Sequence, residues 1–203
     1  MSDASATRSA VIELKDERRA MHEGYVFLDE KCLLLAGEIL RELAHYGELQ
    51  RGFLKLHEDA LTALRLAVAR HGLQGLQIYP PADLSPARVQ VESRSLMGVR
   101  LQAAALERGD SPAASAVEHS PEAAACIRAF AAVLAAAAAI AALSGNLERL
   151  SLEYRRAVRR ARALQDVMLP ELDQTIYEID SRLEELEREE AIWMRQGASQ
   201  AGP

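Results

Sequence analysis

Apolar and small side chains recur early in the chain at steps that alternate between three and four residues. They are Leu14, Met21, Tyr25, Leu28, Cys32, Leu35, Ile39, Leu43, Tyr46, Phe53, Leu56, Ala60, Leu64 and Ala67, with Arg18 and Gln50 in the two skipped places. The mean step is about 3.5 residues, the period at which two helices keep a common seam by supercoiling left-handed. No proline lies between residues 9 and 71. Gly24, Gly37 and Gly47 each weaken a helix by up to ~1 kcal/mol relative to alanine, without disturbing the period.

A second run starts at Ser120-Pro121-Glu122, where serine can cap the first free backbone N–H groups and proline suits the first helical position. From Leu147 its seam reads Leu150, Tyr154, Val158, Ala161, Leu164, Met168, Leu172, Ile176, Ile179, Leu183, Leu186, Glu190 and Trp193. The mean step is again about 3.5 residues. Pro170 falls inside this run. It lacks an N–H and its ring crowds the preceding turn, but the pattern resumes beyond it, so a bend is expected there and not an end.

Between the runs the pattern changes. Gly72, Gly75, Pro80, Pro81 and Pro86 punctuate it; residues 88–92 alternate apolar and polar, and residues 99–101 do so again after Met97-Gly98. This predicts a short β-hairpin and then a polar loop through Gly109-Asp110-Ser111-Pro112. The expected organisation is a long N-terminal helix over 1–72, a connecting lobe over 73–120, a long C-terminal helix over 121–195 and a disordered tail over 196–203. The fold class is all-α: a long antiparallel two-helix coiled coil with a small lobe, holding the β-hairpin, at the turn. A helix of about 62 residues would reach roughly 90 Å.

Composition agrees, because aromatic residues are only 4% and charged residues 27%, which suits helices packed through aliphatic side chains better than a rounded core. A net charge of −6 argues against nucleic acid as a partner. Residues 129–143 are uncharged and apolar, but they fall short of the roughly 20 residues a membrane span needs, so no direct membrane insertion is expected. The polar first residues carry no secretory signal, and Cys32 and Cys126 lack metal or redox spacing, which points to a cytoplasmic setting.

Catalytic equipment is missing from the pattern. No glycine-rich phosphate loop is followed by lysine, the five histidines are scattered, and no nucleophile elbow appears, so neither a cofactor nor a metal site is predicted. The cluster Glu184, Glu185, Glu187, Glu189 and Glu190 reads as a solvated helix flank, since calcium sites also need loop carbonyls. More informative is the charge along the second run. Residues 148–162 hold six arginines against two acids, and residues 166–190 hold ten acids against two arginines. Either these faces complement the first helix, or different heights of the chain meet differently charged partners.

The run from Tyr154-Arg155-Arg156 through Arg159-Arg160-Ala161-Arg162, the pair Leu169-Pro170 and the finish Glu187-Arg188-Glu189-Glu190 resemble the D subunit, the central rotor stalk of V/A-type rotary ATPases. Met97-Gly98-Val99-Arg100-Leu101 is similar to a segment of that family's middle lobe, and Gly24, Leu28 and Lys31 to part of its first helix. Cys32-Leu33-Leu34 after Lys31 and the poly-alanine stretch depart from it. The resemblance implies a non-catalytic shaft that transmits torque between an ATP-hydrolysing or ATP-synthesising head and an ion-translocating membrane rotor. It implies catalytic and regulatory head subunits (A and B type), a small F-type stalk subunit and a C/d-type socket subunit as partners. The interface residues it implies are Lys31, Met97, Gly98, Val99, Arg100, Arg155, Arg156, Arg159, Arg160, Pro170, Glu187, Arg188 and Glu189. The alternative reading is a coiled-coil adaptor or export-apparatus chaperone without ATPase coupling.

Overall fold

The computed structural model describes residues 7–77, 79, 86–107 and 120–200. Helix α1 spans Arg8–Gln77, strands β1 and β2 span Arg88–Leu96 and Val99–Glu107, and helix α2 spans Pro121–Ala163. A π-helical turn, Leu164–Met168, joins α2 to α3, Leu169–Gln200. The chain divides into two compact units, one of Met1–Leu34 with Tyr154–Pro203 and one of Leu35–Glu153. The polar loop expected at 109–112 lies outside the described residues.

In the first unit Val11, Ile176 and Ile179 form a buried cluster, with Leu14 and Leu183 packed against it. Ion pairs flank this apolar seam: Arg8 with Glu187, Lys15 with Asp180, and Arg18 with Asp173. As one partner's number rises the other's falls, so the two helical passes run antiparallel. All three pairs are largely exposed, and such pairs contribute about 0–1 kcal/mol each. They fix register more than stability.

The helix does not end at Pro170. Instead, the turn before it widens, and the Leu169 N–H donates to the Leu164 carbonyl, five residues back. An α-helix would bring the ring of Pro170 against the carbonyl of Asp166; the wider turn relieves that crowding. The extra residue also shifts the seam. Leu164 and Leu169 are half-buried whereas Met168, expected inside, is 38% exposed. Beyond the turn, Leu172, Ile176 and Ile179 resume the inward stripe. Near the end of α3, Leu186 and Trp193 are exposed and not part of the seam. Helix α3 runs to Gln200, past the expected boundary at 195, since its last turns are rich in helix formers and meet no proline before Pro203. Residues 201–203 lie outside the described residues.

In the second unit Leu35, Ala60 and Ala67 of α1 are buried, as are Ala123, Ala131, Leu143 and Leu150 of α2. The pairing is antiparallel here too, with Glu42 reaching Asn146 and His71 reaching Ser120. Inside this stretch the expected seam needs correction. Leu43 is 53% exposed, and Glu42 and Leu49 take the inward places assigned to Leu43 and Gln50. The shift is local to these two positions: Leu35, Tyr46, Phe53, Leu56, Ala60 and Ala67 lie on the inward side, where the 3.5-residue period puts them.

Helix α2 starts at Pro121, and the Ser120 Oγ accepts the N–H of Ala123 at 3.1 Å. The same hydroxyl lies 2.7 Å from His71 Nε2, so one side chain caps α2 and ties it to α1. Ser120→Ala should lower the unfolding free energy by about 1 kcal/mol, the usual cost of losing a cap, read from thermal unfolding. An unchanged melt would show the cap to be idle. Next to His71, α1 is interrupted at Gly72, whose φ of 69° and ψ of 166° suit glycine alone.

The strands pair antiparallel in unbroken register from Arg88↔Glu107 to Leu96↔Val99. Their turn is Met97-Gly98, both at positive φ, 48° and 84°, the two-residue geometry that matches strand twist. The hairpin is longer than its predicted pieces. It lies alongside α1 and α2 within its unit, with Val99 and Leu101 buried.

Candidate functional site

Two groups of side chains stand out, one in each unit. In the first unit, Arg155, Arg156, Arg159 and Arg160 project from the last turns of α2, all exposed. Among the described residues none of them has a carboxylate within ion-pair distance, whereas three acids of the following stretch, Asp173, Asp180 and Glu187, pair with α1. The charge pattern therefore resolves into two parts. Three of the ten acids of that section pair with α1, and the basic band is left facing outward.

Other predicted interface residues distribute as follows. Lys31 is half-buried on α1, and Pro170 is exposed in the first turn of α3. Glu187 is taken up by Arg8 and Arg188 by Glu184, while Glu189 is exposed. Met97 and Gly98 form the hairpin turn in the second unit, Val99 is buried beside it and Arg100 is exposed. The structure thus gathers the four arginines into one band. It places the hairpin residues in the other unit.

The second group is a polar joint under the hairpin. Glu38, only 2% exposed, accepts from Arg94 of β1 and faces Arg41 one turn along. Arg94 also donates to Glu42 at 3.1 Å. Its hydrogen bond to Glu38 raises the guanidinium above its usual value, so this cation stays charged. From α2, Asn146, 3% exposed, accepts the Gln102 N–H at 2.7 Å and donates to the Gln102 carbonyl at 2.9 Å. Arg149 donates to the same Asn146 oxygen at 2.7 Å. A cavity of about 300 Å³ lies alongside, lined in part by Leu49, Leu101, Ala139 and Leu143 with His45 and Glu42 at its polar side.

Sequence reasoning missed this joint. The signal was a carboxylate at Glu38, three residues after Leu35, and an amide at Asn146, one position before Leu147. Both are polar residues where an apolar seam passes, which is where buried polar groups specify register.

Neither thiol is primed for chemistry. Burial pushes both Cys32 and Cys126 up from the ordinary thiol value, and both are free. No group of three or more His, Cys, Asp or Glu among the described residues could hold a metal ion. By length and composition alone, the helical run Pro121–Gln196 contains one stretch apolar enough to cross a membrane, and 11% of that stretch is buried. The expectation drawn from residues 129–143 stops short of that length.

Comparison with known proteins gives a consistent answer. Residues 10–196 match the family model described as the D subunit of ATP synthase. The chain is 32% identical to the D subunit of the V-type ATP synthase of Anaeromyxobacter dehalogenans, over 96% of this chain and 95% of that protein. It is 27% identical to the D subunit of the V-type ATP synthase of Thermotoga neapolitana, over 93% of this chain and 94% of that protein. Against the D subunit of the A-type ATP synthase of Pyrococcus furiosus it is 30% identical, over 90% and 87%.

Proposed function

We propose, from the premise that this chain belongs to the family of ATP synthase D subunits, that it is the central shaft of a V/A-type rotary ATPase. In this reading it carries torque between the nucleotide-processing head and the ion-translocating membrane rotor and contributes no catalytic group. Its partners are head subunits of A and B type, the small F-type stalk subunit and the C/d-type socket subunit. It sits in the cytoplasm at the membrane, and the alanine-rich stretch of α2 serves helix packing and does not insert.

The observation that carries this reading is the outward band Arg155, Arg156, Arg159 and Arg160, which has no acidic counterpart among the described residues. Such a band gives one side of a shaft a distinct field, so the interfaces around it experience different surroundings at each orientation. The test is reconstitution with the catalytic ring. The four-arginine variant to glutamine should assemble but pump fewer ions per ATP hydrolysed. Pumping per ATP equal to the parent's would reject the band, and failure of the parent chain to enter the complex would reject the shaft.

Pro170 belongs to the same reading. Pro170→Ala removes the reason for the π-helical turn and lets Leu164–Met168 revert to α-helix, which rotates every later side chain relative to the earlier seam. Expected is a loss of coupling, seen as ATP turnover that persists while ion pumping declines. ATP-driven pumping indistinguishable from the parent's would count against a role for the turn.

A further inference from the structure

The cavity of about 300 Å³ beside the polar joint has a cause in the sequence. Glu42, His45 and Leu49 follow one another on α1 at steps of three and four, and Ala139, Leu143 and Asn146 on α2 at steps of four and three, so each set lines one helix face. Leu143 and Asn146 are buried, but the position one turn before Leu143 is an alanine. On the hairpin side Ala103 and Ala104 line the same space. The poly-alanine stretch of α2 and the alanines of β2 thus withhold the side chains that would fill it.

Its polar side is short of donors. The Glu42 side chain is only 11% exposed, and a carboxylate has about four acceptor sites. One oxygen accepts from Arg94 at 3.1 Å. The other has, among the described residues, the Asn146 amide at 3.5 Å, the outer limit for a hydrogen bond. Glu92 of β1 also lines the cavity, exposed and without a cation among the described residues. Arg94 is the one guanidinium in the lining, and it is shared with the buried Glu38. His45 completes the titratable groups there. Two carboxylates therefore face a single cation that a third carboxylate already claims.

We propose that this cavity binds a small primary ammonium ion carrying a short alkyl tail. The ammonium brings three donors and no acceptor, which suits Glu42 and Glu92. The tail takes the space between Leu49, Leu101, Ala139 and Leu143, the apolar body of a pocket with a few convergent polar groups. A carboxylate ligand would be repelled, and an alcohol would bring one donor and no charge. The lysine of a partner protein has the same ammonium, but its tail ends in a polar backbone for which the aliphatic lining has no hydrogen bond. The site needs only the hairpin-bearing unit and does not depend on the shaft reading.

Calorimetric titration of the full chain with n-hexylammonium tests it. One ion should bind per chain, and affinity should rise by about fourfold per methylene from butyl- to hexylammonium, the gain for a buried CH₂. Hexanoate and hexanol should bind at least roughly tenfold more weakly, since a bond to a charged partner is lost. Glu92→Gln should weaken hexylammonium by about threefold, as befits an exposed charge. Ala139→Leu fills the cavity and should abolish binding without lowering the melting temperature; if that variant does not fold, Ala139→Val takes its place. Hexanol or hexanoate bound as tightly as hexylammonium would overturn the proposal, as would no binding, or parental affinity in Glu92→Gln or in the folded Ala139 variant. Tighter binding of Nα-acetyl-lysine methylamide than of hexylammonium would overturn it too, by assigning the cavity to a partner's lysine.

Discussion

Replacing Arg94 with alanine should lower the unfolding free energy of the hairpin-bearing unit by about 2–3 kcal/mol. The reason is the carboxylate it leaves behind. Glu38 is 2% exposed, and a buried charge stripped of its partner typically costs about 3–5 kcal/mol. The lower figure allows for Arg41, which remains near Glu38, and for the 59% exposure of the Arg94 side chain. The same physics makes a second variant informative. Changing Glu38 to leucine along with Arg94→Met removes the charge and its partner together, and should recover most of the loss. Urea unfolding at constant slope measures both. Parental stability in Arg94→Ala would show that Arg41 alone satisfies Glu38, and a double variant no better than the single would show that the cost lies elsewhere.

The helices were legible because their apolar seams repeat over many turns, and little besides paired helices sustains that period for so long. Phase was less legible. Leu43 and Gln50 fit the repeat as well as Glu42 and Leu49 do, and a pattern of apolar letters favours leucine over a carboxylate. Arg94, arriving from β1, pairs with both Glu38 and Glu42 and makes them tenable on the inward side. That contact joins residues 56 and 52 positions apart, beyond the reach of local pattern. The π-helical turn was half legible. Pro170 marked the place, but whether a helix bends, ends or takes up an extra residue depends on where the next seam residue finds its partner.

The second strand shows the opposite failure. Residues 102–106 read Gln-Ala-Ala-Ala-Leu, a helix-favouring composition. Tertiary context overrides it, since pairing with β1 and the grip of Asn146 on Gln102 supply hydrogen bonds that an isolated alanine run would find in a helix. Of the candidate interface, the basic band was legible as a cluster of letters. Its outward, unpaired state was not, because that depended on which acids α1 would claim.

Asn146→Leu should destabilise the same unit by about 2–3 kcal/mol, and it should do so unevenly. Leucine is no smaller than asparagine, so little cavity arises, and the cost is polar. The Gln102 N–H and carbonyl lose their partners at 2.7 and 2.9 Å, and Arg149 loses its acceptor. Each such orphaned group costs about 1–3 kcal/mol where water cannot replace the bond, and less where it can. Water can reach Gln102, which is only half-buried, if the hairpin lifts; the cheapest relief is therefore local opening and not global unfolding. The amide of Gln102 should accordingly exchange roughly a hundredfold faster, while amides in α1 around Ala60 change little. With Asn146 gone, the outer edge of β2 would be open at Gln102, so the variant should also self-associate more readily than the parent. Uniform acceleration across the unit would mean the hairpin is an inseparable part of the helical core. Unchanged exchange at Gln102 would mean that Asn146 does not hold the strand.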